Sequence, residues 1–124
     1  MSEHNLVVLR GTMVGESTTR ELSSGSVVLQ FDVSTRDDGG TRSVPVAWHD
    51  PPAAGLDLAA GTDVVVVGSV RRRFFRVAGA TQSRTEVVAD RVVAARRTRE
   101  VRRMLGAAVV LLDPASAEPV AELG

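Results

Sequence analysis

The chain has 124 residues, no cysteine, and 15 basic residues that balance 15 acidic ones. The lack of cysteine excludes disulfide bonds, thiolate metal sites and thiol nucleophiles, and no apolar run approaches the roughly 20 residues of a membrane-spanning helix. The N-terminal residues also lack the basic start and the long apolar centre of a secretory signal. We therefore expect a single domain with a tail, in a cytoplasmic protein.

The first half of the chain contains three predicted strands. Residues 4–14 begin with an apolar run from Leu6 to Leu9, followed by Gly11, where we expect the strand to bend. A polar stretch with a turn at residues 23–25 then precedes an alternating strand over residues 27–35. The third strand, residues 42–49, contains Pro45, which has no amide donor and therefore indicates an edge, a bulge or an opening in a barrel.

The second half contains a short helical stretch at residues 56–60 and two more strands. Residues 64–67 are four valines, which is typical of a strand buried on both faces or of one leg of a closed barrel. Gly68 is expected to relieve crowding where this strand curves. Beyond it, alternation predicts two faces, one with Arg71, Arg73 and Phe75, the other with Arg72, Phe74 and Arg76. A turn at Gly79 leads to a fifth strand over residues 85–95.

Five strands with a helical stretch between the third and the fourth are typical of the OB-fold, a small barrel whose strands and loops bind oligonucleotides. A half-barrel or an SH3-like barrel fits the strand count nearly as well. Apolar spacing over residues 96–112 predicts a C-terminal helix, and the remaining Ala-, Pro- and Glu-rich residues predict disorder. The expected organisation is an OB-fold domain, residues 1–95, and a helical or disordered extension, residues 96–124.

The neutral total charge hides an asymmetry along the chain. Residues 1–70 hold four arginines and nine acidic residues (net −5), residues 71–103 hold eleven and three (+8), and residues 104–124 hold none and three (−3). Every basic residue is arginine, which pairs with phosphate and stacks on bases, although a GC-rich coding sequence gives the same bias. A cationic segment between two acidic ones indicates that the protein binds a polyanion.

Five short motifs follow one another over about three quarters of the chain. They are Asn5-Leu6-Val7 with Leu9 and Gly11, Phe31-Asp32-Val33-Ser34, Val44-Pro45-Val46-Ala47-Trp48, the series Gly61, Val64, Val66, Gly68 and Val70, and Arg84 with Glu86-Val87. This ordered series resembles the bacterial single-stranded DNA-binding proteins. The resemblance implies an OB barrel, a homotetramer, and binding of single-stranded DNA without sequence preference in replication, repair or recombination. It implies a cytoplasmic, nucleoid-associated protein with no metal or cofactor.

The resemblance also implies which residues bind DNA. In that family, rings at the end of the third strand and on the outer part of the fourth stack on bases. The matching positions are the rings Trp48 and Phe75, with the cations Arg71, Arg72 and Arg73 as phosphate partners. We expect Arg84 to neutralise phosphate as well. A lone tryptophan is more often a core residue, but the strand end and the resemblance together predict an exposed Trp48. Of the two adjacent phenylalanines one is expected in the core, and the resemblance selects Phe75 as the stacking ring.

Two features depart from the family. Asp37, Asp38 and Arg42 stand where further aromatic residues are common, so we expect binding to rely more on charge. Residues 119–124 do not form the acidic tip with a terminal phenylalanine, so the resemblance is to a short form without recruitment of repair proteins through that tip. The apolar residues of positions 5–9 exceed what a small core needs, and we expect them to join the subunits.

Enzymatic activity is not expected. The pair His49-Asp50 is the one hint of a metal site, and the sequence has no zinc motif, phosphate loop or nucleophile elbow. The alternative that stays open is an OB-fold interaction module that binds protein or structured RNA, with Trp48 and Phe75 in the interface. Salt dependence distinguishes the two, because phosphate contacts weaken steeply with salt and apolar interfaces do not.

Overall fold

The computed structural model describes residues 3–56 and 58–113. In chain order the elements are β1 (Val7–Glu21), β2 (Val27–Asp37), β3 (Gly40–His49), α1 (Ala53–Leu56), β4 (Asp63–Val77), β5 (Ala80–Ala94) and α2 (Thr98–Leu112). The strands close into a barrel in the order β1-β2-β3-β5-β4. The predicted five-stranded OB-fold and the C-terminal helix are confirmed, and an open half-barrel is excluded. The tail predicted to be disordered, residues 114–124, lies outside the described residues.

The barrel closes through its shortest ladder. β3 and β5 run parallel and pair only from Val46 with Val87 to Trp48 with Ala89, whereas the other ladders are antiparallel and longer. Pro45 pairs with β2 but directly precedes the first pair with β5. It therefore stands where β3 and β5 separate, in agreement with its interpretation as an opening in the barrel.

β4 is buried on both faces at its start. Val64 and Val66 lie in the barrel core, and Val65 and Val67 lie in a second cluster beneath Met104, Ala108 and the rest of the inner face of α2. Such two-sided burial explains why four consecutive valines replace the usual alternation. At roughly 1.5–3 kcal/mol for each fully buried valine or leucine-sized side chain, these residues are a main source of the barrel's stability.

A bulge follows the buried valines. Val67 pairs with Arg91 and Gly68 with Ala89, so Asp90 is an extra residue in β5. A Cβ atom at Gly68 would lie 2.0 Å from the carbonyl oxygen of Val88. At this point β4 and β5 approach each other so closely that only glycine fits at position 68. This agrees with the role predicted for Gly68, which is to relieve crowding where the strand curves.

Two strands extend at one end at least five residues beyond their predicted ranges, while β2 and β3 exceed theirs by two residues each. β1 continues to Glu21 and β5 begins at Ala80, although the predicted strands end at residue 14 and begin at residue 85. The added residues are almost all exposed on both faces, so the hydrophobic alternation that marks a half-buried strand is missing from them. β1 passes an irregularity between Val14 and Thr18, where Gly15 has φ +70°, a conformation that favours glycine.

The far parts of β4 and β5 form a hairpin that extends beyond the barrel, which we call the arm (residues 70–87). β1 pairs with β4 only as far as Gly68, and β3 pairs with β5 only from Val87 onward. Within the arm the two strands pair with each other. The side chain of Asn5 fixes its base, because Asn5 Nδ2 donates to the Val70 carbonyl at 2.7 Å and the Val70 amide donates back at 2.9 Å.

Gly68→Ala should lower the free energy of unfolding by about 2–3 kcal/mol, because the added methyl group meets rigid backbone. Gly106→Ala is the matched control, since a Cβ at this exposed position in α2 has no atom within 4 Å; it should raise stability by about 0.5–1 kcal/mol. Urea denaturation of the two variants measures both changes. Equal stability of the two variants would contradict the close approach of β4 and β5.

Candidate nucleic-acid interface

The arm concentrates positive charge beyond the barrel. Its eighteen residues include five arginines and one glutamate, a net charge of +4. Because side chains alternate along each strand and directly paired residues share a face, the register assigns these groups to two opposite faces. The Phe75 face holds Arg71, Arg73, Phe75, Gln82, Arg84 and Glu86, and the Phe74 face holds Arg72, Phe74, Arg76, Thr81, Ser83 and Thr85.

Glu86 organises the Phe75 face. Its side chain is nearly fully buried, and Arg71 Nη2 donates to Oε2 at 3.1 Å. Arg73 Nε lies 3.1 Å from Oε1 in an ion pair, although its N–H is not directed at a hydrogen-bond acceptor. The Arg73 guanidinium carbon also lies 5.6 Å from the centre of the Phe75 ring, within the range of a cation–π contact. One carboxylate therefore compensates part of the charge of two arginines and holds them beside a half-buried ring.

Arg84 lies at the border between the arm and the barrel surface. Its Nη2 is 3.8 Å from Asp32 Oδ1, and both side chains are about half exposed, so this ion pair contributes little to stability. The two residues line a cavity of about 190 Å³ on the outer side of β2 and β3, together with Glu16 and Glu86. Three carboxylates and one guanidinium make this part of the surface unfavourable for phosphate.

The Phe74 face differs in having unpaired cations and an exposed ring. The Phe74 side chain is 65% exposed. Arg72 has no ion pair or hydrogen bond within residues 3–56 and 58–113, and Arg76 donates only to the carbonyl of Gly79, at 2.8 Å. No acidic residue shares this face of the arm. These cations are therefore available to an anionic ligand in full.

Trp48 is not exposed, and the prediction that its ring is available for stacking is wrong. The residue is 5% exposed and belongs to the barrel core. α1 folds back over the ring, and a Cβ at Gly55 would lie 2.5 Å from Trp48 Cζ3. The ring thus closes one end of the core, and only a glycine in α1 permits it. Gly55 after two prolines was the signal in the sequence for such a close approach.

The expectation that one of the two phenylalanines lies in the core is also wrong. Neither Phe74 nor Phe75 belongs to a core cluster, because at these two residues β4 pairs only with β5 and lies beyond its ladder with β1. Alternation correctly separates the two rings onto opposite faces. Alternation produces one buried and one exposed face only where another element covers one side of the sheet.

The cationic segment of the sequence divides into two surfaces. β5 runs from the arm to Ala94, and α2 begins shortly after it, at Thr98. Arg91 and Arg97 both contact Glu100 there, while Arg99, Arg102 and Arg103 are exposed without ion pairs in the described part of the chain. The charge of +8 over residues 71–103 is therefore shared between the arm and the first turns of α2.

No protein-family model and no curated protein sequence matches the chain. The described residues contain no cluster of three or more acidic or histidine side chains that could hold a metal ion. In the same residues no helix is long and apolar enough to cross a membrane. Of the predicted site residues, the arm brings together Phe75, Arg71, Arg72, Arg73 and Arg84.

The fluorescence of Trp48 should report folding and not ligand binding. Because the ring is enclosed, the native protein should emit at short wavelength and resist quenching by acrylamide, and Trp48→Ala should cost about 3–5 kcal/mol of stability. Emission spectra with acrylamide titration, and urea denaturation of the variant, measure these properties. Efficient quenching in the folded protein would contradict the buried position.

Proposed function

We propose that this protein binds single-stranded DNA through the arm, without sequence preference. The observation that carries the proposal is a hairpin beyond the barrel with five arginines, one glutamate and two phenylalanines outside any core. Single-stranded DNA offers a line of phosphates and unstacked base faces, for which guanidinium groups and exposed rings are the matching partners. The function belongs to replication, repair or recombination, in a cytoplasmic, nucleoid-associated protein.

The roles of the site residues follow from their surroundings. Arg72 and Arg76 neutralise phosphates most strongly, since no carboxylate lies on their face of the arm. Arg84 contributes less, because it is paired with Asp32 and lies beside Glu86. Arg71 and Arg73 contribute less charge, because Glu86 compensates them, but the ion pairs hold their guanidinium groups in fixed orientations. Phe75 stacks on a base beside Arg73. Rings can stack only on unpaired bases, which favours a single strand over a duplex.

The path of the strand follows the arm and avoids the face of β2 and β3. OB-folds commonly bind oligonucleotides on strands 2 and 3 and on the loops that follow strands 1 and 4. In this chain Glu16, Asp32 and Glu86 line the cavity on that face, whereas the loop after β4 is the tip of the cationic arm. Charge therefore favours the arm.

Subunit association is a further part of the proposal, through a smaller apolar surface than residues 5–9 as a whole would provide. Val7 and Leu9 pack against the barrel core and Leu6 packs against the cluster beneath α2, which leaves Val8 as the exposed apolar residue of this segment, at 47%. The pairing of β1 with β2 begins only at Thr12, so β1 has an open edge before that residue within the described chain. That edge is the proposed contact of a homotetramer.

Fluorescence anisotropy with labelled oligo(dT) tests the function. We expect binding that weakens linearly in log salt with a slope of about −1.4, because the two uncompensated arginines, Arg72 and Arg76, release counterions at about 0.7 each on a single strand. A duplex of equal length should bind much more weakly. Absence of binding at low salt, or binding that ignores salt, would contradict the proposal and favour a protein-binding module.

Glu86→Gln should strengthen binding of oligo(dT) at low salt and steepen the salt slope by about one unit, since the charge of Arg71 and Arg73 is no longer compensated. The substitution keeps the shape of the side chain. Asp113→Asn, remote from the arm in sequence at the end of α2, is the matched control for a lost negative charge. A Glu86 variant that folds like the wild type and binds with unchanged slope would refute the role assigned to this carboxylate.

Static light scattering at micromolar concentration should give the mass of a tetramer, and Val8→Arg should lower it, because a charge on the exposed side of the open β1 edge opposes close contact. Val14→Arg introduces the same charge at another exposed valine and serves as the control. A monomeric wild-type protein would contradict the proposed association without affecting the role of the arm.

A further inference from the structure

The Phe74 face is a separate surface from the one that the resemblance selects. Phe74 pairs with Ser83 across the arm, and its strand neighbours on the same face are Arg72 and Arg76. At about 3.4 Å per residue the two arginines stand about 7 Å from Phe74 on either side along the strand. The arrangement is cation, ring, cation in a line.

No structural role accounts for the exposed ring. Phe74 contacts neither core cluster, and at 65% exposure it leaves most of a large apolar side chain in water. Such exposure is unfavourable in the free protein by the ordinary cost of hydrating apolar surface. An aromatic residue held out in this way on a regular strand indicates a ligand that covers it.

The surroundings of Phe74 identify the chemistry of that ligand. The cross-strand positions around the ring are Thr81, Ser83 and Thr85, so Phe74 is an isolated ring among hydroxyl and guanidinium groups and not the centre of an apolar patch. Protein interfaces are typically built around clustered apolar side chains. A single ring between two cations fits one base between two phosphates.

We infer that the Phe74 face is a second stacking site. The same DNA strand that binds the Phe75 face passes over an open edge of the arm and then binds the Phe74 face. The edge is open because β1 leaves β4 at Gly68 and β3 leaves β5 at Val87. This inference rests on the proposed function. Arg72 and Arg76 neutralise the phosphates on this face, and the absence of a carboxylate there makes it the stronger of the two faces per cation.

The test compares Phe74→Ala with Phe75→Ala in the full chain, using anisotropy with an oligo(dT) long enough to reach both faces. Each variant should weaken binding by about 5- to 150-fold, the range for one stacked base, and the double variant should combine the two losses, since the rings lie on opposite faces. Phe74→Leu keeps an apolar side chain without a ring and should weaken binding nearly as much as Phe74→Ala. Urea midpoints of the Phe74 variants should stay at the wild-type value.

The outcomes separate the inference from the proposed function. If the wild-type protein fails to bind, both are overturned. If the wild type binds and Phe75→Ala weakens it, while Phe74→Ala binds within twofold of wild type, the second site is overturned and the proposed function stands. If Phe74→Leu restores full affinity, the residue makes an apolar contact and stacking at Phe74 is overturned.

Discussion

The two-sided burial of β4 is the constraint on which the rest of the structure depends. Val64 and Val66 fill the barrel, and Val65 and Val67 hold α2 against its outside, so one strand fixes both layers. The bulge at Asp90 then changes the register of β5 relative to β4. β4 leaves β1 after Gly68, β5 leaves β3 beyond Val87, and the two strands then continue as the arm. The buried part of the β4–β5 hairpin thus anchors the arm, on which the arginines and phenylalanines lie.

The arm divides its charge unequally, and that division shapes the proposed binding. On one face Glu86 forms ion pairs with two arginines, which compensates part of their charge and fixes the orientation of their guanidinium groups. On the other face the arginines have no carboxylate opposite them. Together with the acidic cavity on β2 and β3, this pattern favours a strand that follows the arm and crosses its edge, and it disfavours one that lies over the barrel.

The sequence predicted the fold well where burial leaves a pattern. The valine run, Gly68 and Pro45 each have the role that their residue type indicates. The strand ends were missed because residues 15–21 and 80–84 are exposed on both faces, where neither face selects apolar residues. Trp48 was misplaced because its burial depends on the four residues of α1, an element too short to produce a periodic pattern. The alternation of Arg71 to Arg76 was predictable, but the compensation by Glu86 depends on the pairing of β4 with β5.

The most direct test of the central claim is a titration of the ¹⁵N-labelled protein with oligo(dT), followed by amide chemical shifts. We expect the largest shifts within residues 70–87, including Phe74 and Phe75, with small changes in the valines beneath α2 and in Trp48. Shifts confined to α2 or to the outer side of β2 and β3, with the arm unchanged, would contradict the account.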